Sequence, residues 1–146
     1  MRMASGLVFL SLAVSVGAES PDFTCHWRQE SDSGIQRRLE VEQSGKNLRV
    51  KTEETNSQGT KKLEVQYEIG GAETTYTGLD GDEFHSSVHW EGKGLVFDIV
   101  EHEDGSVIPQ KVIWTLSEDN NTLQVDRTLT KSGQTKHSLT KFVREP

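Results

Sequence analysis

With Cys25 as its single cysteine, the chain cannot form a disulfide within itself, so packing and backbone hydrogen bonds must hold the fold. Only three prolines occur, too few to guard many sheet edges, and a sheet that closes on itself avoids that problem. Past the first eighteen residues no apolar run approaches the roughly 20 residues a membrane helix needs. No stretch there combines apolar spacing of three and four with helix caps. Positive charge is also scarce: 16 Lys and Arg face 23 Asp and Glu, for a net charge of −7, which argues against nucleic acid and anionic lipid surfaces as partners. A Gly-x-Ser-x-Gly elbow is missing, and Gly92-x-Gly94 lacks the helix and the Lys-Ser/Thr pair of a phosphate loop. These absences predict a protein that is not an enzyme, with no catalytic residues, no cofactor and no metal.

What is present begins with a leader. Arg2 precedes an apolar run over residues 7–16, and Val16-Gly17-Ala18 offers small residues for cleavage. Residues 1–18 are therefore expected to be a signal peptide. Residues 19–146 are expected to form one domain that is exported, periplasmic or secreted, with no membrane span after cleavage.

Beyond the leader, side chains alternate between apolar and polar. Phe23, Cys25 and Trp27 begin the pattern; Ile35, Leu39 and Val41 follow. The cleanest run is Leu63, Val65, Tyr67 and Ile69, with Lys62, Glu64, Gln66 and Glu68 between. Phe84, Ser86, Val88 and Trp90 repeat it, as do Val112, Trp114 and Leu116, and then Leu123, Val125 and Leu129. Turn chemistry separates the runs: Ser44-Gly45-Lys46-Asn47, Leu79-Asp80-Gly81-Asp82, Glu91-Gly92-Lys93-Gly94, Glu103-Asp104-Gly105-Ser106 and Lys131-Ser132-Gly133-Gln134. Residues 54–59 contain no apolar side chain and read as a loop. About nine or ten antiparallel strands in an up-and-down meander are predicted, closed or nearly closed into a barrel, with a sandwich or clam as the alternative.

His85 and His89, flanked by Glu83 and Glu91, are the obvious metal pair. On a strand, however, positions four apart stand about 13 Å apart, too far to share an ion. They read as solvent-facing, and Glu101-His102-Glu103-Asp104 reads as a solvated acidic turn. Arg37-Arg38 and Lys61-Lys62 likewise read as solvated pairs, and Cys25 as a buried, inert thiol. The remaining candidates are aromatic. Trp27, Tyr67, Tyr76, Phe84, Trp90, Phe97 and Trp114 fall largely on the inward face, with Ser86, Thr52 and Arg127 among them. Such a set lines a pocket for a small apolar or amphipathic ligand, or fills a barrel with no space left; both readings stand on sequence. The ligand-pocket candidates are Trp27, Tyr67, Phe84, Trp90, Phe97, Trp114 and Arg127. The rival functions are a protein-interaction module with a filled interior and, third, an enzyme of unknown type.

The opening Pro21-Asp22-Phe23-Thr24-Cys25-His26-Trp27 resembles the start of small exported bacterial lipocalin-like (calycin-type) barrel proteins. Residues 114–127, from Trp114-Thr115-Leu116 to Val125-Asp126-Arg127, are similar to their penultimate hairpin. Cys25 stands where the lipocalin signature has glycine, two residues before Trp27. The resemblance implies a barrel far more than an activity. It also implies a structural role for a late basic residue, here Arg127, stacked on Trp27. Asn120-Asn121-Thr122 reads as an ordinary turn.

Overall fold

Alternation of this kind commits nearly the whole chain to strands, and the computed structural model describes them over residues 20–30 and 34–146. The expected signal peptide lies outside the described residues. Among the described residues there are ten strands and no helix: β1 (Cys25–Gln29), β2 (Gln36–Ser44), β3 (Asn47–Asn56), β4 (Gly59–Glu68), β5 (Thr74–Thr77), β6 (Glu83–Glu91), β7 (Gly94–Glu103), β8 (Ser106–Leu116), β9 (Thr122–Lys131) and β10 (Gln134–Arg144). They form one sheet in the order β4-β3-β2-β1-β10-β9-β8-β7-β6-β5, every named strand pair being antiparallel. The meander is therefore wrapped so that the first and last strands are neighbours, Trp27 standing opposite Arg144.

The wrap stops just short of closure. β4 and β5 end the sheet, and the seam beside them is sparse. Ile69 forms an isolated bridge with Val88, Gly70 N–H donates to Val88 O at 2.6 Å, and Thr74 Oγ1 donates to Gln66 O at 3.2 Å. This is a nearly closed barrel rather than a sandwich.

Tight hairpins set the register. Asp104-Gly105, at φ 42° and 79°, supplies the left-handed pair whose twist matches the flanking strands β7 and β8. The expected loop at 54–59 shrinks to a turn at Ser57-Gln58: β3 and β4 run up to it on either side, pairing Glu54 with Lys61 and Thr55 with Thr60. Backbone hydrogen bonds and opposite charges across the ladder sustain these strands without an apolar face, because their inner face is wet. Phe23, expected within the first strand, lies just before β1.

Turns alternate between the two ends of the barrel, and the ends differ. At the end carrying residues 44–47, 91–94 and 117–121, the interior is solid. Phe23 and Trp27 are 0% exposed, packed with Leu48, Leu95 and Leu123. Phe23 stacks on Trp90 at 6.0 Å and meets the edge of Trp114 at 5.6 Å. Trp27 Nε1–H donates to Phe23 O at 2.9 Å. The cation over Trp27 is Arg144, 4.8 Å from the ring centroid, not Arg127. The pairing of β1 with β10 puts Arg144 opposite Trp27, whereas Arg127 on β9 faces the interior. Cys25 is half-buried against this core rather than fully buried, its Sγ 3.3 Å from His26 O.

Candidate ligand cavity

Toward the other end, the inward residues stop meeting and leave a cavity of about 530 Å³, within the range of small-molecule sites (about 300–1,000 Å³). Its deep surface is apolar and comes from alternate residues of adjoining strands: Phe97 and Ile99 of β7, Val112 and Trp114 of β8, Val125 of β9 and Phe142 of β10. Leu39, Val50 and Val65 complete it from β2, β3 and β4. Phe97 lies against Trp114 at 4.8 Å and receives the edge of Tyr67 at 5.3 Å; Tyr76 stacks on Phe84 at 5.4 Å. The sequence left a hollow and a filled interior equally open. The molecule has one at each end.

Of the sequence-derived pocket residues, Tyr67, Phe84, Phe97, Trp114 and Arg127 line this cavity, while Trp27 and Trp90 stand in the solid plug. Other lining residues were read otherwise, Arg37 and Lys61 as solvated, Glu54 in a loop and Asp80 in a turn, and Gln110 was not singled out. Counting by twos past the last apolar residue finds most of them. Leu39 leads back to Arg37, Val50 and Thr52 lead on to Glu54, and Val112 leads back to Gln110. The same count from Phe97 and Ile99 reaches Glu101, which is only 8% exposed and belongs to β7, not to a solvated turn.

Polar groups around the cavity are mostly answered. The Tyr76 hydroxyl lies 3.2 Å from Ser86 Oγ, and the Tyr67 hydroxyl reaches toward Tyr76 at 3.5 Å. Burial first, and then the neighbouring Tyr76, hold the Tyr67 phenol well above its ordinary pKa, so it is a neutral hydrogen-bonding group. Arg37 Nε pairs with Glu54 Oε2 at 3.0 Å. Gln110 Nε2 donates to Glu101 Oε2 at 2.7 Å.

Arg127 differs. Its side chain is exposed and lines the cavity. Loss of solvent, then the nearby Arg37 charge, lowers its pKa; a guanidinium nonetheless stays charged. Among the described residues no carboxylate forms an ion pair with it and no acceptor takes a hydrogen bond from it.

Asp80, Asp82 and Glu101 bring carboxylate oxygens within 4.8 Å of one another beside the mouth. Three acids alone assign no metal. The outward histidines hold separate carboxylates: His85 bonds Glu73 at 2.8 Å and Glu83 at 2.6 Å, and His89 meets Glu91 at 3.3 Å and Asp98 at 3.4 Å. Those bonds to Glu73 and Glu83 raise the His85 pKa.

No protein-family model matches this chain, and no curated protein matches it in sequence. Solved structures do match in fold. Lipid binding protein 8 of Caenorhabditis elegans superposes with a TM-score of 0.69 at 13% identity, covering 88% of this chain and all (100%) of that one. A fatty acid transporter described as REP1-NXSQ gives 0.65 at 12% identity, over 84% of this chain and 96% of that one. The zebrafish ileal bile acid-binding protein gives 0.60 at 14% identity, over 84% and 98%. At such identities the likeness establishes the fold alone: a nearly closed antiparallel β-barrel.

Proposed function

We propose that this domain, exported after removal of residues 1–18, carries a small amphipathic molecule with an acidic headgroup, without chemical turnover. The carrying observation is Arg127, a cation with no partner among the described residues, at a cavity whose depth is apolar. Burial of a ligand's chain against Phe97, Trp114 and Phe142 contributes about 25 cal/mol per Å². An anion beside Arg127 would form charge-assisted hydrogen bonds that no described residue supplies. Tyr67 and Phe84 complete the aromatic wall. Two structural neighbours, the fatty acid transporter and the ileal bile acid-binding protein, bind molecules of this chemical kind. Neither histidine nor cysteine lines the cavity, which favours binding over nucleophilic chemistry.

Titration of Trp114 fluorescence with dodecanoate and with dodecanol at pH 7.4 tests this. Arg127→Gln should weaken dodecanoate by about tenfold or more, the worth of a hydrogen bond to a charged group, and dodecanol by much less. Equal weakening of both, or no binding of either by the unaltered protein, rules the reading out. Export predicts that the secreted protein begins at Glu19 on N-terminal sequencing.

A further inference from the structure

We propose that the turn at residues 78–82 is a proton-dependent latch on the cavity mouth, shut while Glu101 holds a proton against Asp82 and lifting when that proton leaves. As a regulator of loading, it rests on the carrier reading above.

The turn forms part of the cavity wall through Gly78, Leu79 and Asp80. It is tied mainly to itself: Gly78 N–H donates to Asp82 O at 2.8 Å, Gly81 N–H to Gly78 O at 3.1 Å, and Asp82 N–H to Asp80 Oδ1 at 3.0 Å. It can therefore move as a unit. The strand before it, β5, has four residues, stands at the end of the sheet and pairs along its length with β6 alone. Gly78 seats the turn on the Phe84 ring, where a Cβ would come within 2.3 Å of Phe84.

What fastens the turn is electrostatic. Glu101 lies beneath it, 8% exposed, anchored by Gln110 at 2.7 Å and clustered with Asp80 and Asp82. The other charges facing the cluster are Glu103, itself held by Lys131 at 3.3 Å, and Arg127, which makes no hydrogen bond to these acids. Three carboxylates this close oppose one another's ionisation. Burial first, then the hydrogen bond to Asp82 and the Asp80 charge, push the Glu101 pKa up to about 7. Asp82 is shifted upward too, mainly by loss of water. A carboxyl whose pKa is raised in the closed form binds its proton more tightly there than in the open form. The closed form is therefore favoured at low pH and loses that preference as pH rises from the ordinary glutamate range through about 7. Above that, three negative charges push the turn away from β7.

Hydrogen-exchange mass spectrometry of the ligand-free full chain in EDTA, corrected for intrinsic rates, reads the latch directly. Protection over residues 74–86 should fall at least tenfold between pH 5.5 and 8.5, while the hairpin at 44–47 stays unchanged. Glu101→Gln, neutral and still able to donate to Asp82, should keep the turn protected at both pH values. Should that variant fail to fold, Asp80→Asn with Asp82→Asn serves the same purpose. In parallel, stopped-flow release of 8-anilinonaphthalene-1-sulfonate, ionised throughout this range, should be faster at pH 8.5 than at 5.5 and lose that dependence in Glu101→Gln. Protection that ignores pH, or that varies equally in wild type and Glu101→Gln, overturns the latch even where the probe binds. A pH-dependent turn in a protein that binds neither the probe nor dodecanoate supports the latch and removes the carrier reading.

Discussion

The two ends of this barrel share a backbone and differ in what faces inward. At the plugged end Phe23, Trp27, Leu48 and Leu123 meet without space between them, and the polar groups among them are answered. Trp27 Nε1 bonds Phe23 O, the Gln43 amide bridges Phe23 N and Pro21 O, and Arg144 bonds Asn120 O. At the mouth the same alternation delivers Arg37, Glu54, Lys61, Glu101 and Arg127 inward, and among the described residues Lys61 and Arg127 are left without a partner. One end is arranged for stability. The other carries unresolved charge, as expected where binding competes with stability. The ladder makes this division cheap, since period-two geometry fixes which residues face inward but not whether they are apolar.

The sharpest way to break that contrast is at the plug. Trp27→Ala removes a fully buried indole and its hydrogen bond and should cost about 3–5 kcal/mol of stability. Urea unfolding of the full chain measures it. A cost below about 1 kcal/mol would mean that the solid end does not hold the fold, and the comparison would collapse. At the mouth the expected sign is reversed. Arg127→Leu replaces a cation that lines the cavity without a partner among the described residues by an apolar side chain, and should leave stability unchanged or raise it by roughly 1 kcal/mol. A loss larger than that would show that Arg127 has a structural partner after all and that the mouth is built like the plug.

Which parts of this contrast the sequence disclosed follows from the range of each signal. Alternation acts between neighbours, so the strands, their turns and the inward aromatics Tyr67, Phe97 and Trp114 were legible. The polar strand ends flanking the turn at Ser57-Gln58 were not, because reading strands from apolar residues assumes an apolar interior. Glu101 was misread for the same reason: beside His102, Glu103 and Asp104 it looks like solvent chemistry, although parity with Phe97 and Ile99 sends it inward. Its meeting with Asp80 and Asp82 depends on the turn at 78–82 folding back over β7, which no local pattern encodes. The likeness of residues 114–127 to lipocalin-like hairpins carried the architecture but misassigned the cation on Trp27.

That cation offers the finest test, because two arginines compete for one role. Arg144 lies over Trp27 and donates two hydrogen bonds to Asn120 O, at 3.1 and 2.8 Å, tying the end of β10 to the turn between β8 and β9. Its side chain is exposed, where a cation over an indole is worth about 0.5–1 kcal/mol. Arg144→Ala should therefore lower stability by roughly 1 kcal/mol, far less than Trp27→Ala, and leave dodecanoate affinity unchanged. In a background of Trp27→Leu the same change should cost less, since the ring it covers is gone. Equal costs in both backgrounds would show that the Asn120 hydrogen bonds alone matter. A loss of dodecanoate affinity in Arg144→Ala would show that the plug and the mouth are energetically one body, so that a defect at the solid end reaches the cavity through the strands they share.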